Sequence, residues 1–88
     1  MKPTTAYDVA AAAIDYVDAR AARIESRRTR NAAIAAFADG EKIDSRSEEC
    51  QAATATEHHA YRASVSHESA TKNRLRAAVA RAKKELKR

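Results

Sequence analysis

Residues 38–48 read Ala38-Asp39-Gly40-Glu41-Lys42-Ile43-Asp44-Ser45-Arg46-Ser47-Glu48 and hold the single glycine of an 88-residue chain. Glycine enters the left-handed backbone region without steric cost, so Asp39-Gly40 marks where a helix arriving from the N-terminus should stop, near Ala38. Ser45 and Glu48 have the spacing of a capping box, in which the serine accepts from the new first turn and the glutamate reaches back. A turn of 39–44 is therefore expected between two helices, and a connection that short makes them antiparallel neighbours. The fold class is read as all-α: a long antiparallel helical hairpin, coiled-coil-like, in one domain of residues 1–88.

Working outward toward the N-terminus, the first helix should cover about 5–38. Thr4 or Thr5 can cap it, with Pro3 just outside and Asp8 favouring the positive end of the helix. Tyr7, Ala10, Ile14, Val17, Ala21 and Ile24 alternate by three and four, the spacing that keeps one helical face buried. That seam meets Arg28 and Asn31, after which the large apolar residues are Ile34 and Phe37. Toward the C-terminus a second helix of about 45–87 contains no Gly or Pro. Its seam is Cys50, Ala53 or Thr54, Tyr61, Val65, Leu75, Val79, Ala82 and Leu86; one continuous helix is expected, with the polar stretch from Ser66 to Asn73 as the place where a kink or a third helix would fall. At 1.5 Å per residue the helices are about 50 Å and about 60 Å long, so the second should overhang at its C-terminal end.

Composition makes the helices easy to form and hard to bury. Of 39 hydrophobic residues 23 are alanine, and only 11 are Ile, Val, Leu or Phe. Alanine is the strongest helix former, but its methyl contributes far less on burial than a Leu or Ile side chain. Small scaffolds of this kind need a staple. Cys50 is the one cysteine, so an intrachain disulfide is excluded and self-association into a helical bundle is expected. The lone thiol fits a reducing compartment, and neither a transmembrane run nor a signal-peptide pattern is present. A cytoplasmic, homo-oligomeric protein without a membrane partner is the expectation.

The net charge of +5 is uneven. Lys72, Arg74, Arg76, Arg81, Lys83, Lys84, Lys87 and Arg88, set against Glu85, give residues 72–88 a charge of +7, leaving −2 for residues 1–71. Such a basic end attracts anions by long-range field and counterion release, though cations also suit the negative end of a helix. Arg20, Arg23, Arg27 and Arg30 recur at three, four and three along the first helix. None has an acidic residue three or four positions away, and the like charges repel by a few tenths of a kcal/mol per pair. Two arrangements offset this. If paired residues sum to about 83, Arg23 and Arg27 face Glu57 and Arg30 approaches Glu49. Otherwise the stripe binds an external anion, which the planar guanidinium fork suits, with Tyr16 and Tyr61 available to stack.

Catalysis and metal binding find little support. Cys50 precedes His58, His59 and His67 by eight residues or more on one straight helix, and no metal-ligand or nucleophile motif occurs. No cofactor, no metal and no enzyme activity are expected. Val9-Ala10-Ala11-Ala12-Ala13, Arg20-Ala21-Ala22-Arg23 and Arg74-Leu75-Arg76-Ala77-Ala78 give the chain a composition that resembles the small Ala/Arg-rich helical accessory proteins of bacteriophages. That resemblance implies an inhibitor of a host defence system or an oligomeric sponge for a nucleotide signal. From the residues themselves the expected function is non-enzymatic binding of an anionic partner: nucleic acid, nucleotide or an acidic protein surface. The alternative is a structural coiled-coil module with its charges paired internally.

Overall fold

The computed structural model describes residues 1–42 and 44–87, and among them the chain forms helices α1 (Pro3–Ala38), α2 (Glu48–Ala53) and α3 (Ala55–Leu86). It is a helical hairpin, a rod of 62 × 17 × 16 Å in which α1 lies along α3 for nearly its whole length. α1 ends at Ala38, where Asp39 takes φ 45° and its N–H donates to the Ala35 carbonyl at 3.0 Å. Gly40 follows at φ 80°, so the left-handed turn spans both residues.

The start of α1 differs from expectation. Pro3 occupies the first helical position, where its missing N–H costs nothing. Neither Thr4 nor Thr5 caps the helix; the capping position is Lys2, which has no side-chain cap. Thr5 is buried, and its hydroxyl donates to Glu85 Oε1 at 2.8 Å. The Lys2 N–H donates to Glu85 Oε2 at 3.2 Å, so a carboxylate from α3 stands at the positive end of α1. Asp8 lies beyond the first turn and faces Arg81 at 3.9 Å.

The second half of the hairpin is also recut. Ser47, not Ser45, caps α2, accepting from the Cys50 N–H at 3.3 Å. The Ser45–Glu48 capping box is absent; the Ser45 carbonyl instead accepts from Gln51 Nε2 at 3.0 Å. The helix breaks at Thr54 (φ −111°, ψ 19°), whose hydroxyl bonds back to the Cys50 carbonyl at 2.7 Å. A threonine hydroxyl competing for the backbone in this way favours a bend. The polar stretch 66–73, by contrast, lies inside an unbroken α3.

The seam of α1 is where the structure departs furthest from the apolar pattern. Tyr7, Ile14 and Val17 are 73%, 62% and 63% exposed, and Ala10, Ala21 and Ile24 also face outward. The face against α3 is Thr5, Val9, Ala12, Tyr16, Ala19, Arg23, Ser26, Arg30, Ala33 and Phe37, again spaced by three and four. Its partner on α2 and α3 is Cys50, Thr54, Glu57, Tyr61, Ser64, Glu68, Thr71, Leu75, Ala78, Ala82 and Glu85. Cys50, Thr54, Tyr61, Leu75 and Ala82 were legible as seam residues; Val65 and Leu86 are exposed. The inner faces run the full length of both helices, and Ala12, Ala19, Ser64, Thr71 and Ala78 leave room between the bulkier side chains for the backbones to approach. The large apolar stripe stops at Ile24. The Ser64 and Thr71 hydroxyls bond to carbonyls of their own helix at 2.6 and 2.8 Å, so these polar groups enter the seam already satisfied.

Register follows from the same pairing. Arg23 meets Glu68 and Arg30 meets Tyr61, numbers that sum to 91 in both cases, where a sum near 83 was expected. The longer connection and the Thr54 break account for the two-turn difference. One result is that α3 does not overhang: Glu85 sits beside Lys2 and Thr5.

Candidate functional site

Inner and outer faces divide the Arg stripe in two. Arg23 and Arg30, seven residues apart, point into the hairpin; Arg20 and Arg27, also seven apart, are exposed. The Arg23 guanidinium is ion-paired with Glu68, both side chains about four-fifths buried. This replaces the expected pairing of Arg23 and Arg27 with Glu57. Among the described residues neither Arg20 nor Arg27 forms an ion pair. The proximity of Arg30 to Glu49 is likewise replaced. The Arg30 guanidinium carbon lies 4.3 Å from the centroid of the Tyr61 ring, a cation–π contact that occupies the face a base would stack on. Tyr16 is half-buried on the inner face, opposite Leu75 by register, and does not accompany the exposed Arg20.

At the turn end these elements enclose an open cleft of about 660 Å³. α1 contributes Arg30, Asn31 and Ile34, the connection Ser45 and Arg46, α2 Gln51 and α3 His58. Two of its nitrogens are conspicuous for what they lack. Arg30 Nε and His58 Nε2 are both shut off from solvent without a hydrogen-bond partner among the described residues. Among the described residues the Arg30 guanidinium makes one hydrogen bond, from Nη2 to Asn31 Oδ1 at 3.4 Å. The rest of the cleft is held by local bonds: Gln51 to Ser45, and the Arg46 N–H to Asp44 Oδ1 at 2.9 Å. Two guanidinium groups and an imidazole thus border one opening, donors suited to an anion's oxygens.

Of the six candidate stripe residues only Arg30 lines this cleft, and Tyr61 is its ring partner beneath the guanidinium. Arg46, His58, Asn31 and Gln51 were missed. Arg46 sits in the connection, where no periodicity applies, and His58 lies in the first turns of α3, just after the break at Thr54, which the sequence pattern does not place.

The basic end is not a free tail. Ala78 and Ala82 are buried against α1, Arg81 faces Asp8, and Arg74 borders a shallow groove with Asp15 and Asp18. Lys72, Arg76, Lys83, Lys84 and Lys87 are exposed; Arg88 lies outside the described residues. No group of three or more His, Cys, Asp or Glu side chains that could hold a metal occurs among the described residues, nor is any described helix long and apolar enough to cross a membrane. No protein-family model, curated protein or solved structure matches the chain.

Proposed function

We propose that the chain is a non-enzymatic binding protein, a self-associating helical hairpin that engages a phosphate-bearing partner, a nucleotide or a nucleic-acid backbone, at its turn end. The observation that carries this reading is the convergence of Arg30, Arg46 and His58 on one cleft, with Arg30 Nε and His58 Nε2 unpartnered among the described residues. A buried polar nitrogen left unpaired costs about 1–3 kcal/mol, and a side-chain rotation that brings it to an anion's oxygen in the cleft would recover it. The exposed cations of the last turns of α3 add long-range attraction. Read with the resemblance to phage accessory proteins, the role is that of an inhibitor of a host defence system or a sponge for a nucleotide signal, acting in the cytoplasm.

A titration calorimetry series with inorganic phosphate, a cyclic dinucleotide and random single-stranded DNA, at low and high salt, tests the reading. Arg30→Gln with Arg46→Gln should abolish the cleft-specific binding, while Lys83→Gln with Lys84→Gln should flatten only the salt dependence. Binding of all three probes that ignores the Arg30 and Arg46 changes would remove the cleft. The structural alternative has its own support, because Arg23–Glu68 and Asp8–Arg81 pair charges within the hairpin. A wild-type chain that binds none of the probes at low salt favours that alternative.

A further inference from the structure

The charges of the hairpin are sorted by edge. On α1 the four acidic residues Asp8, Asp15, Asp18 and Glu25 each stand one position before an inner-seam residue, whereas Arg20 and Arg27 each stand one position after. One position is about 100° of helix, so these arginines leave the seam on the side away from the acids. Because the helices are antiparallel, the same offset on α3 emerges on the same edge. The two edges show it: Asp8 and Asp15 share a groove with Arg74 and Arg81, and Asn31 and Ile34 share the turn-end cleft with Gln51 and His58. On the cleft's edge α3 adds Arg62, Lys72, Arg76 and Lys83 to Arg20 and Arg27. All six are exposed, and none forms an ion pair among the described residues. No carboxylate of α1 or α3 lies on that edge, since Glu57, Glu68 and Glu85 are all in the seam. Only Lys72 has an acid three or four positions away, Glu68, and Arg23 already holds it.

We infer that this edge is the docking surface for a nucleic acid duplex, held by its phosphates. The inference rests on the reading that the chain engages a phosphate-bearing partner, and it extends the site from the cleft along the rod. Length is the first argument. In the register of the hairpin Lys83 stands level with Asp8 and Arg62 with Thr29, so the cations span about 32 Å. That is about one turn of a B-form duplex. A mononucleotide cannot reach from one end of the row to the other, whereas a duplex offers one negative charge per about 1.7 Å of axis.

The aromatic residues decide between one strand and two. Single strands are held by stacking of bases on aromatic rings as well as by charge. The chain's four aromatic side chains are all off this edge: Tyr16, Phe37 and Tyr61 in the inner seam, Tyr7 on the outer face of α1. With no ring to receive a base, the edge can read only a backbone, and a duplex presents its phosphates outward without unstacking. An acidic protein would have to show carboxylates and no cation over the same length, which a duplex does by its constitution. Binding through this edge is therefore independent of sequence and steeply dependent on salt.

Fluorescence anisotropy with a labelled duplex about two turns long, read across a salt series, tests this. For six contacts at about 0.9 each, the logarithm of the wild-type binding constant should fall against the logarithm of salt with a slope of about −5. Arg20→Gln, Arg62→Gln and Arg76→Gln should each flatten the slope by about 0.9, and together weaken binding on the order of a hundredfold at about 0.1 M salt. Arg28→Gln, Arg74→Gln and Lys84→Gln remove the same net charge off the edge and should weaken binding by less than about tenfold. Equal losses in the two triple variants, with helicity by circular dichroism retained, overturn the edge. Duplex binding that is lost with Arg30→Gln and Arg46→Gln but untouched by the edge triple confines the site to the cleft and also overturns it. Tighter binding of a single strand of equal length, or of poly-glutamate of equal charge, overturns the duplex as occupant. A wild-type chain that ignores the duplex but binds inorganic phosphate or a cyclic dinucleotide overturns this inference and leaves the phosphate reading standing; one that binds none of them overturns both.

Discussion

Glu85 is the side chain on which most of the open end depends. The hydrogen bond from the Thr5 hydroxyl, helped by the Lys2 N–H and the positive charges of Lys2 and the N-terminus, holds its carboxyl below the usual carboxylate range against partial desolvation. A depressed folded value means that the contribution of Glu85 is present above the unfolded value of about 4.3 and is lost as pH falls through the lower folded one. Glu85→Gln should therefore lower the melting temperature more at pH 7 than at pH 3, and equal losses at both would count against the linkage. Arg23–Glu68 stands differently, because both partners are mostly shielded. Arg23→Gln should cost about 1–2 kcal/mol, between an exposed pair and a fully buried one, since Glu68 is left facing the seam. A double-mutant cycle with Glu68→Gln, read by urea denaturation, checks it: coupling near zero would show the pair to be incidental.

At the scale of the helix, the stop at Asp39-Gly40 is backbone geometry. A Cβ added at Gly40 meets no atom within 4 Å, so Gly40→Ala would be penalised only by its positive φ. That penalty should be about 1–2 kcal/mol by urea denaturation, with α1 otherwise unchanged. This stop was legible in sequence because one residue type carries it. The two helices and their antiparallel order were legible for the same reason. The covered face of α1 was not. Two seams with identical three-four spacing interleave on that helix, and bulk favours the one holding Ile14 and Val17. Periodicity announces a face without saying what covers it, and α3 covers the face of Ala12, Ala19 and Arg23. Register failed for a related reason: Ser45 and Ser47 both offer a cap, and the choice of Ser47, with the break at Thr54, shifts every pair downstream. Of the cleft residues, Arg30 was legible because it belongs to a periodic stripe, whereas Arg46 lies in the connection, where no periodicity applies, and His58 follows a helix break that the sequence pattern does not mark.

For the molecule as a whole, the absence of an overhang changes what the basic end does. Reading it as an appendage makes removal of residues 81–88 harmless to folding. The structure gives those residues Arg81 to Asp8, buried Ala82 and the Glu85 contacts. Their removal should lower the melting temperature and expose the first two turns of α1 to amide exchange, and unchanged protection through Val9 would refute this. The Glu85 contacts also order events in time. Sequence separation between partners grows steadily along the rod, from 45 at Arg23–Glu68 to 80 at Thr5–Glu85. Loop closure is cheapest next to the connection, so the hairpin should close like a zipper from Asp39 toward its ends. During synthesis α1 emerges first but cannot find its inner partner until α3 has left the ribosome. Through that interval both of its seams are bare, and neighbouring nascent chains on one messenger could meet through Ile14 and Val17 before either has closed on itself.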